Sequence, residues 1–371
     1  MDLAPATRPL LRPPDSVSSS SPPELSIDGL AHDFGIPDLR DRLAAVDDRN
    51  EDVLVRGDAL LGEASVRVAR NGGKRLRPLF TIVAAGLGDR FDDKVVSAAA
   101  AVELVQVGSL VHDDIVDEAA TRRGRPTINA VEGMNHAVMA GDYILARAAE
   151  LAASVSQQAA HLLAVTLGEL CEGQVLEMRD AYDPGRTVES HLASIHGKTA
   201  ALFECACRLG AEAGGLADAN VEHLARYGHA FGMGFQVLDD VLDLIGDADR
   251  LGKPVGNDIA SGVYTLPVLT ALAGPDGARL RNLLAAAGSP DAGENGDAVA
   301  RAMTLVQQSG SMAAALQAMD RYADDARRAV GHLNQTRIGE ALATFPRTYA
   351  TWALEAFMDP RFLEVPLRAI G

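Results

Sequence analysis

From about Ile36 onward, apolar residues recur every three or four positions along the chain. Early examples are Leu43, Val46, Val53, Leu54, Leu60, Leu61 and Val66. This spacing places apolar side chains on one face of an α-helix. Clusters of glycine, proline or asparagine interrupt the pattern and predict turns. They lie at 71–73, 124–126, 183–185, 214–215 and 252–254. No stretch alternates apolar and polar residues as a half-buried strand does, so the pattern predicts an all-α fold in a single domain, a helical bundle.

The composition supports this prediction. Of 371 residues, 47% are hydrophobic and only 4% are aromatic, so the apolar residues are largely Ala, Leu and Val. Ala and Leu favour helices over strands. A chain of this length can also bury a large core.

The N-terminal segment has a different composition. Residues 1–24 contain many prolines and the run Ser18 to Ser21, and such a segment buries too little apolar surface to offset the entropy of ordering it. We expect residues 1–35 to form a disordered or poorly ordered tail and residues 36–371 to form one catalytic domain. The N-terminus also lacks the basic and apolar segments of a signal peptide.

Two further features indicate a cytoplasmic protein without a transmembrane segment. The most apolar stretch, Val95 to Val111, contains Glu103 and Gln106, so we interpret it as a buried core helix. The three cysteines match neither a metal site nor a disulfide framework, which favours a reducing compartment. The formal net charge of −17 argues against a nucleic-acid partner, because binding phosphates over a large surface requires a basic face.

An acidic motif, D-D-x-x-D, occurs twice, at Asp113–Asp117 and at Asp239–Asp243. On a helix its first and last aspartates share one face. Apolar residues surround both copies, so the carboxylates lose hydration and repel each other unless a cation compensates. Oxygen ligands shared with a phosphate suit Mg²⁺. The two motifs therefore predict a metal-assisted diphosphate site. His112 points about 100° away from Asp113 on a helix, and we interpret it as structural rather than as a base.

Cations are few in this acidic chain, so their positions are informative. In the island Gly72–Pro78, two glycines that allow close backbone approach precede three cations that suit phosphate oxygens. Further cations follow the first acidic motif or stand beside glycines: Arg122, Arg123, Arg125, Lys198 and Lys253. Together with the acidic motifs, these islands predict two anion sites, one dependent on metal and one formed by cations alone.

With these motifs in order, the chain resembles the trans-polyprenyl diphosphate synthase family from about residue 60 to residue 272. The resemblance rests on G-G-K-R-L-R-P, both acidic motifs, R-R-G-R-P after the first, G-K-T, G-F-Q-x-x-D-D and G-K-P-x-G-N-D. It implies the isoprenoid synthase fold, a helical bundle around a deep central cavity, and a homodimer. It also implies a prenyltransferase with Mg²⁺ as cofactor, three ions per active site, and at most a weak association with a membrane during product release.

The resemblance also implies roles for individual residues. The Mg²⁺ ligands would be Asp113, Asp117, Asp239 and Asp243, supported by Asp114 and Asp240. The diphosphate of isopentenyl diphosphate would bind Lys74, Arg77, Gln106 and Arg123. The allylic diphosphate would contact Arg122, Lys198, Thr199, Gln236, Asp240 and Lys253, with Lys198 also counted as catalytic. Two positions depart from the family pattern, since Gln106 replaces a common histidine and Val263 replaces a common lysine.

The expected reaction joins isopentenyl diphosphate to an allylic diphosphate, and several alternatives remain open. One is a short-chain synthase that makes a farnesyl or geranylgeranyl product. Another is a terpene cyclase, which would not need the Lys74–Arg77 island. A third is a non-catalytic subunit, which would be expected to lose one acidic motif.

The resemblance also implies that the growing product runs alongside the helix that carries the first motif, so residues of this helix would control its length. Gly108 and Ser109 precede Asp113 by about one turn, roughly 6–7.5 Å along the axis. Their small size predicts an open cavity below the metal site and hence a long-chain product. The alternative is that Gly108 permits close packing, so that a neighbouring helix fills this space.

Overall fold

The computed structural model describes residues 25–71, 73–252, 254–288 and 292–364, and most of these residues are helical. The helices of the first half are α1 (Ile27–Phe34), α2 (Leu39–Leu54), α3 (Ala59–Ala69), α4 (Leu76–Ala85), α5 (Asp93–Val116), α6 (Ile128–Glu132), α7 (Met134–Val155), α8 (Gln157–Arg179) and α9 (Val188–Ile195). Those of the second half are α10 (Ala201–Ala213), α11 (Asp218–Ile245), α12 (Ala248–Leu251), α13 (Asn257–Ala260), α14 (Leu266–Leu272), α15 (Gly277–Ala287), α16 (Ala292–Gln308), α17 (Ser311–Ala329), α18 (Arg337–Phe357) and α19 (Pro360–Glu364). A π-helical turn, His196–Ala200, joins α9 to α10, and a 3₁₀ turn, Gly331–Leu333, precedes α18. The predicted all-α bundle is confirmed.

The strands are confined to one small hairpin in the described part of the chain. Its strands are β1 (Thr121–Arg122) and β2 (Arg125–Pro126), which pair antiparallel. Arg123 and Gly124 at its tip both have positive φ, 53° and 72°. This backbone geometry closes a two-residue turn whose twist matches the strands. The hairpin presents Arg122 and Arg123 directly after α5.

The long helices α5 and α11 form the centre of the bundle and carry the two acidic motifs at their C-terminal ends. Helix α5 packs against α2, α4, α7 and α10, and α11 packs against α10, α17 and the π-helical turn. Among the described helices, α5 alone is long and apolar enough to cross a membrane, but 72% of its most apolar window is buried inside the protein. Such burial is what we expected of a core helix.

The first and last parts of the described chain pack against each other. Ser26 caps the N-terminus of helix α1, because its hydroxyl accepts a hydrogen bond from the backbone N–H of Gly29. Its buried Phe34 ring lies 5.5 Å from the Phe345 ring of α18. The prediction that the tail extends to residue 35 is therefore wrong, because residues 27–34 form a helix with a buried face. The remainder of the predicted tail, residues 1–24, lies outside the described residues.

Candidate functional site

The first acidic motif ends helix α5. Asp113 lies in its last turn, and the backbone N–H of Asp117 donates to the Asp113 carbonyl at 2.8 Å. Burial raises the pKa of Asp113, Lys198 counteracts this rise, and Asp117 adds to it. Asp114 is buried, and it accepts a hydrogen bond from Arg122 Nε at 2.5 Å. The motif thus divides into a pair that shares one face and a supporting carboxylate that fixes the hairpin.

The second acidic motif lies near the end of helix α11. Asp243 is buried, and its Oδ2 accepts the backbone N–H of Asp258 at 3.1 Å. Asp240 is also buried, with Oδ1 3.2 Å from Gln236 Nε2 and Oδ2 3.1 Å from His191 Nε2. Gln236 therefore holds one oxygen of Asp240, whereas the buried Oδ2 lies beside His191 without a hydrogen-bond partner among the described residues. The role of Asp240 as a support for the metal ligands stays a prediction.

Lys198 and Thr199 lie in the π-helical turn, a type of irregularity that is frequent at functional sites. Lys198 Nζ donates to Glu177 Oε1 of α8 at 2.7 Å. Burial by itself lowers the pKa of Lys198, but Glu177 and the first motif outweigh it, so that the pKa is raised. The lysine stays charged and lies within electrostatic reach of Asp113. Thr199 donates to Gln236 Oε1 at 2.7 Å, which links the π-helical turn to α11.

The cation island before α4 lies beside the hairpin and the second motif. A Cβ atom on Gly73 would lie 2.8 Å from Arg123 Nη1, so this glycine makes room for the Arg123 guanidinium. Lys74 as a whole is exposed to solvent, yet protein atoms surround its ammonium. This burial lowers the pKa of Lys74 to about 8 against the opposing effect of Asp239. Arg77 lies with its guanidinium carbon 4.4 Å from the Phe203 ring centroid, and burial lowers its pKa to about 10.

Arg75, the third cation of the island, points elsewhere. Its backbone has a φ of 49°, and its guanidinium binds Glu103 of α5 and lies 3.0 Å from Asp47 Oδ1 of α2. Glu103 is buried, and burial raises its pKa while Arg75 lowers it. Arg75 therefore serves the packing of α2, α4 and α5, while Lys74 and Arg77 remain available for a ligand.

The two residues predicted to control product length lie on different faces of α5. Ser109 precedes Asp113 by four positions and shares its face, and its hydroxyl donates to the Gln106 carbonyl at 3.0 Å. Gly108 precedes His112 by four positions, and His112 faces α7, where its Nε2 lies 3.3 Å from the Val138 carbonyl.

A Cβ atom on Gly108 would lie 2.9 Å from the Leu145 side chain of α7. The prediction that placed Gly108 on an open cavity wall is therefore wrong, and the packing alternative explains this glycine. Ser109 stays a predicted wall residue. Gln106 lies half-buried two turns before Asp113 on the same face, while Lys253 lies outside the described residues.

The predicted metal ligands suit a hard cation that is also coordinated by oxygen atoms of a substrate. The four predicted ligands are carboxylates, and burial raises the pKa of Asp113 although Lys198 and Arg122 partly offset this rise, so a further cation would stabilise its charged form. Within the described ranges, no group of three or more histidine, cysteine, aspartate or glutamate side chains could hold a metal by itself. The oxygen atoms of a diphosphate can complete such a coordination sphere.

Sequence reasoning missed several partners of these residues. Glu177 accepts a hydrogen bond from Lys198, His191 Nε2 lies 3.1 Å from Asp240 Oδ2, and Tyr349 accepts a hydrogen bond from Lys74 Nζ at 2.9 Å. Lys74 and Tyr349 are 275 positions apart, and no local spacing connects them. Only the fold brings these pairs together.

The chain is similar in sequence and in fold to known proteins of one family. The model of the family described as polyprenyl synthetase matches residues 58–305. A nonaprenyl diphosphate synthase from Mycobacterium tuberculosis is 38% identical over 308 residues, which cover 82% of this chain and 90% of the relative. Component 2 of heptaprenyl diphosphate synthase from Geobacillus stearothermophilus is 38% identical over 290 residues, which cover 78% and 88%. A crystal structure of polyprenyl synthase from Caulobacter crescentus, complexed with calcium and isoprenyl diphosphate, superposes with a TM-score of 0.79 at 32% identity, over 90% of this chain and 99% of that one.

Proposed function

Because this chain belongs to the polyprenyl synthetase family, we propose that it is a magnesium-dependent prenyltransferase that condenses isopentenyl diphosphate with an allylic diphosphate into a long all-trans chain. The observation that carries the proposal is the grouping of charges. Asp113, Asp117 and Lys198 interact electrostatically on one side of the site. Lys74 interacts with both Asp239 and Arg123 on the other. This grouping suits two diphosphates whose reacting carbons meet between them.

The allylic diphosphate would bind near the first motif and Lys198. Mg²⁺ held by Asp113, Asp117, Asp239 and Asp243 would supply positive charge that stabilises the departing diphosphate. Lys198 adds a fixed ammonium on the same side, and its partner Glu177 keeps it charged and in place. The allylic C1–O bond then breaks, and the diphosphate leaves with the bonding electrons.

Isopentenyl diphosphate would bind Lys74, Arg77 and Arg123. These cations orient its double bond toward the allylic C1, where the new carbon–carbon bond forms. A proton then leaves C2 of the isopentenyl unit, and the departed diphosphate can accept it. No side chain has to act as a strong base, which agrees with the position of His112 against α7.

A long product is supported by the names of two curated relatives that match over most of their length, a nonaprenyl diphosphate synthase and a component of a heptaprenyl diphosphate synthase. Ser109 is compatible with it, because its small side chain shares the Asp113 face. A short-chain product would require a bulky floor close to the first motif, and neither Ser109 nor Gln106 is aromatic.

The test is incubation of the purified protein with labelled isopentenyl diphosphate and, in turn, dimethylallyl, geranyl and farnesyl diphosphate, followed by chromatography of the products. We expect elongation to a long chain with Mg²⁺, its loss after chelation, and its return when Mg²⁺ is added. Asp239→Asn should abolish turnover, whereas Asp249→Asn, an exposed control on α12, should not. Cyclised hydrocarbon made from the allylic substrate alone would support a terpene cyclase instead, and full turnover after chelation would contradict the metal requirement.

We further propose a cytoplasmic homodimer formed through α7 and α8. Eleven large apolar side chains are exposed among the described residues, and six of them lie on these two adjacent helices. They are Met134, Val138, Met139, Val165, Val175 and Met178. Exposed apolar surface on this scale is typical of an interface. Sedimentation should give a dimer for the native chain and a monomer for Val175→Asp, and a monomeric native chain would refute this interface.

A further inference from the structure

The ammonium of Lys74 lies among three aromatic rings near the end of the described chain. Its Nζ is 4.7 Å from the Trp352 ring centroid, 4.9 Å from that of Phe357 and 5.3 Å from that of Tyr349. The same Nζ donates a hydrogen bond to the Tyr349 hydroxyl at 2.9 Å. We call these three rings the aromatic cage.

The cage is fixed to the helix that carries the second acidic motif. Two of its rings stand on α18, and Phe357 ends that helix. The Trp352 ring lies 5.4 Å from both the Tyr349 ring and the Phe357 ring. Directly after α11, the backbone N–H of Asp247 donates to the Phe357 carbonyl at 2.8 Å. The cage and the end of α11 are therefore held together by backbone contacts.

The chemistry of the cage matters because it holds a charge without neutralising it. Lys198 is held differently, since it donates to the carboxylate of Glu177, and that ion pair offsets its charge. An aromatic face attracts an ammonium through its quadrupole and uses none of the N–H donors. Lys74 has three such donors, and among the described residues it gives one to the Tyr349 hydroxyl, which leaves two for a ligand.

We propose that Tyr349, Trp352 and Phe357 are positioning residues that hold the ammonium of Lys74 for the diphosphate of isopentenyl diphosphate. The inference rests on the proposed function, which assigns Lys74 to that substrate. By restricting the rotamers of a long, flexible side chain before the ligand arrives, the cage reduces the entropy lost on binding. The cation that it holds is Lys74, whereas Lys198 pairs with Glu177, so the effect should fall chiefly on isopentenyl diphosphate.

The experiment compares Trp352→Leu with the conservative Trp352→Phe and with Phe345→Leu as a matched control. Phe345 is also a buried ring on α18 and lies 6.0 Å from the Tyr349 ring, but it stacks on Phe231, with centroids 5.7 Å apart, and among the described contacts it makes none with Lys74. We expect Trp352→Leu to raise KM for isopentenyl diphosphate about threefold to thirtyfold. The KM for the allylic substrate should change by no more than about twofold, well below a tenfold change.

The conservative and control variants separate positioning from general support of the fold. Trp352→Phe should restore most of the affinity because it keeps a ring face, and Phe345→Leu should leave KM for isopentenyl diphosphate unchanged. Equal rises of KM for both substrates, or the same rise in Phe345→Leu, would overturn the inference. If Trp352→Leu fails to fold, Tyr349→Phe removes only the hydroxyl and should still raise KM for isopentenyl diphosphate selectively.

Calorimetric titration with isopentenyl diphosphate alone tests the role of the cage separately from the proposed function. If the native chain binds this ligand and Trp352→Leu binds it equally well, the cage has no positioning role while the proposed function stands. If the native chain does not bind it at all, the proposed function fails and the inference fails with it.

Discussion

Raising the pH from 7 to 9 should selectively weaken the use of isopentenyl diphosphate. Burial lowers the pKa of Lys74 to about 8; Asp239 opposes this effect, and Arg123 adds to it. With that value, about 90% of the protein carries a charged Lys74 at pH 7 and about 10% does so at pH 9. If only the ammonium form binds the diphosphate well, kcat/KM for isopentenyl diphosphate should fall about tenfold over this range.

The sign of the effect follows from which form of Lys74 the ligand prefers. A bound diphosphate stabilises the ammonium and raises the pKa of Lys74 in the complex, so kcat at saturating substrate should fall only at higher pH. The contact is worth about 1.5–3 kcal/mol, as a hydrogen bond to a charged group, so the loss should level off at about ten- to a hundredfold. Burial lowers the pKa of Arg77 to about 10, so Arg77 stays mostly charged in this window.

The assay is the initial rate of incorporation of labelled isopentenyl diphosphate at saturating allylic substrate, measured at steps between pH 7 and 9. Lys74→Arg is the control, because an arginine stays charged throughout and should give a flat profile. A flat profile for the native chain would refute the reasoning. So would an equal decline in Lys74→Arg, since a different group would then be responsible.

Three other changes have definite expected outcomes. Asp113→Asn should reduce turnover by several orders of magnitude without lowering the melting temperature in the absence of Mg²⁺, because burial already disfavours this carboxylate; a clear loss of thermal stability would contradict this. Gly173→Ala should destabilise the fold by about 1–3 kcal/mol in denaturant titrations and also slow turnover, because the new Cβ would lie 2.5 Å from the Lys198 backbone nitrogen. Ser109→Phe should shorten the products seen by chromatography, whereas Gly108→Phe should chiefly destabilise the fold against α7; shortening by Gly108→Phe alone would reverse these assignments.

The chemistry-bearing helices could be predicted from the sequence because their signals are local. Each D-D-x-x-D motif fits within two helical turns, so its face follows from helical periodicity alone. Periodicity also gives the angle between His112 and Asp113. It does not say which face of α5 meets a neighbouring helix, and for this reason the position of Gly108 required the fold.

The partners of the charged residues could not be predicted, because they come from distant parts of the chain. Arg75 and Lys74 are adjacent, yet one binds Glu103 and the other donates to Tyr349. The left-handed backbone at Arg75 turns the Lys74 and Arg75 side chains in different directions. An arginine does not favour this conformation, so the residue type gave no indication of it. The helix at 27–34 could not be predicted for a related reason, since its apolar face is short and is covered by both α2 and α18.

Contact between α1 and α18 has a consequence for how the protein is made. A ribosome releases Phe34 about 300 residues before Phe345, so during that interval the ring of Phe34 lacks its partner. During the same interval, Lys74 lacks its hydrogen-bond acceptor Tyr349. The Phe80 ring, which lies 5.6 Å from that of Phe345 in the folded protein, also remains partly exposed. A nascent chain with exposed apolar rings is prone to aggregate. Nonsense mutations that remove α18 should therefore yield protein that is cleared by proteases rather than shortened enzyme with weakened activity.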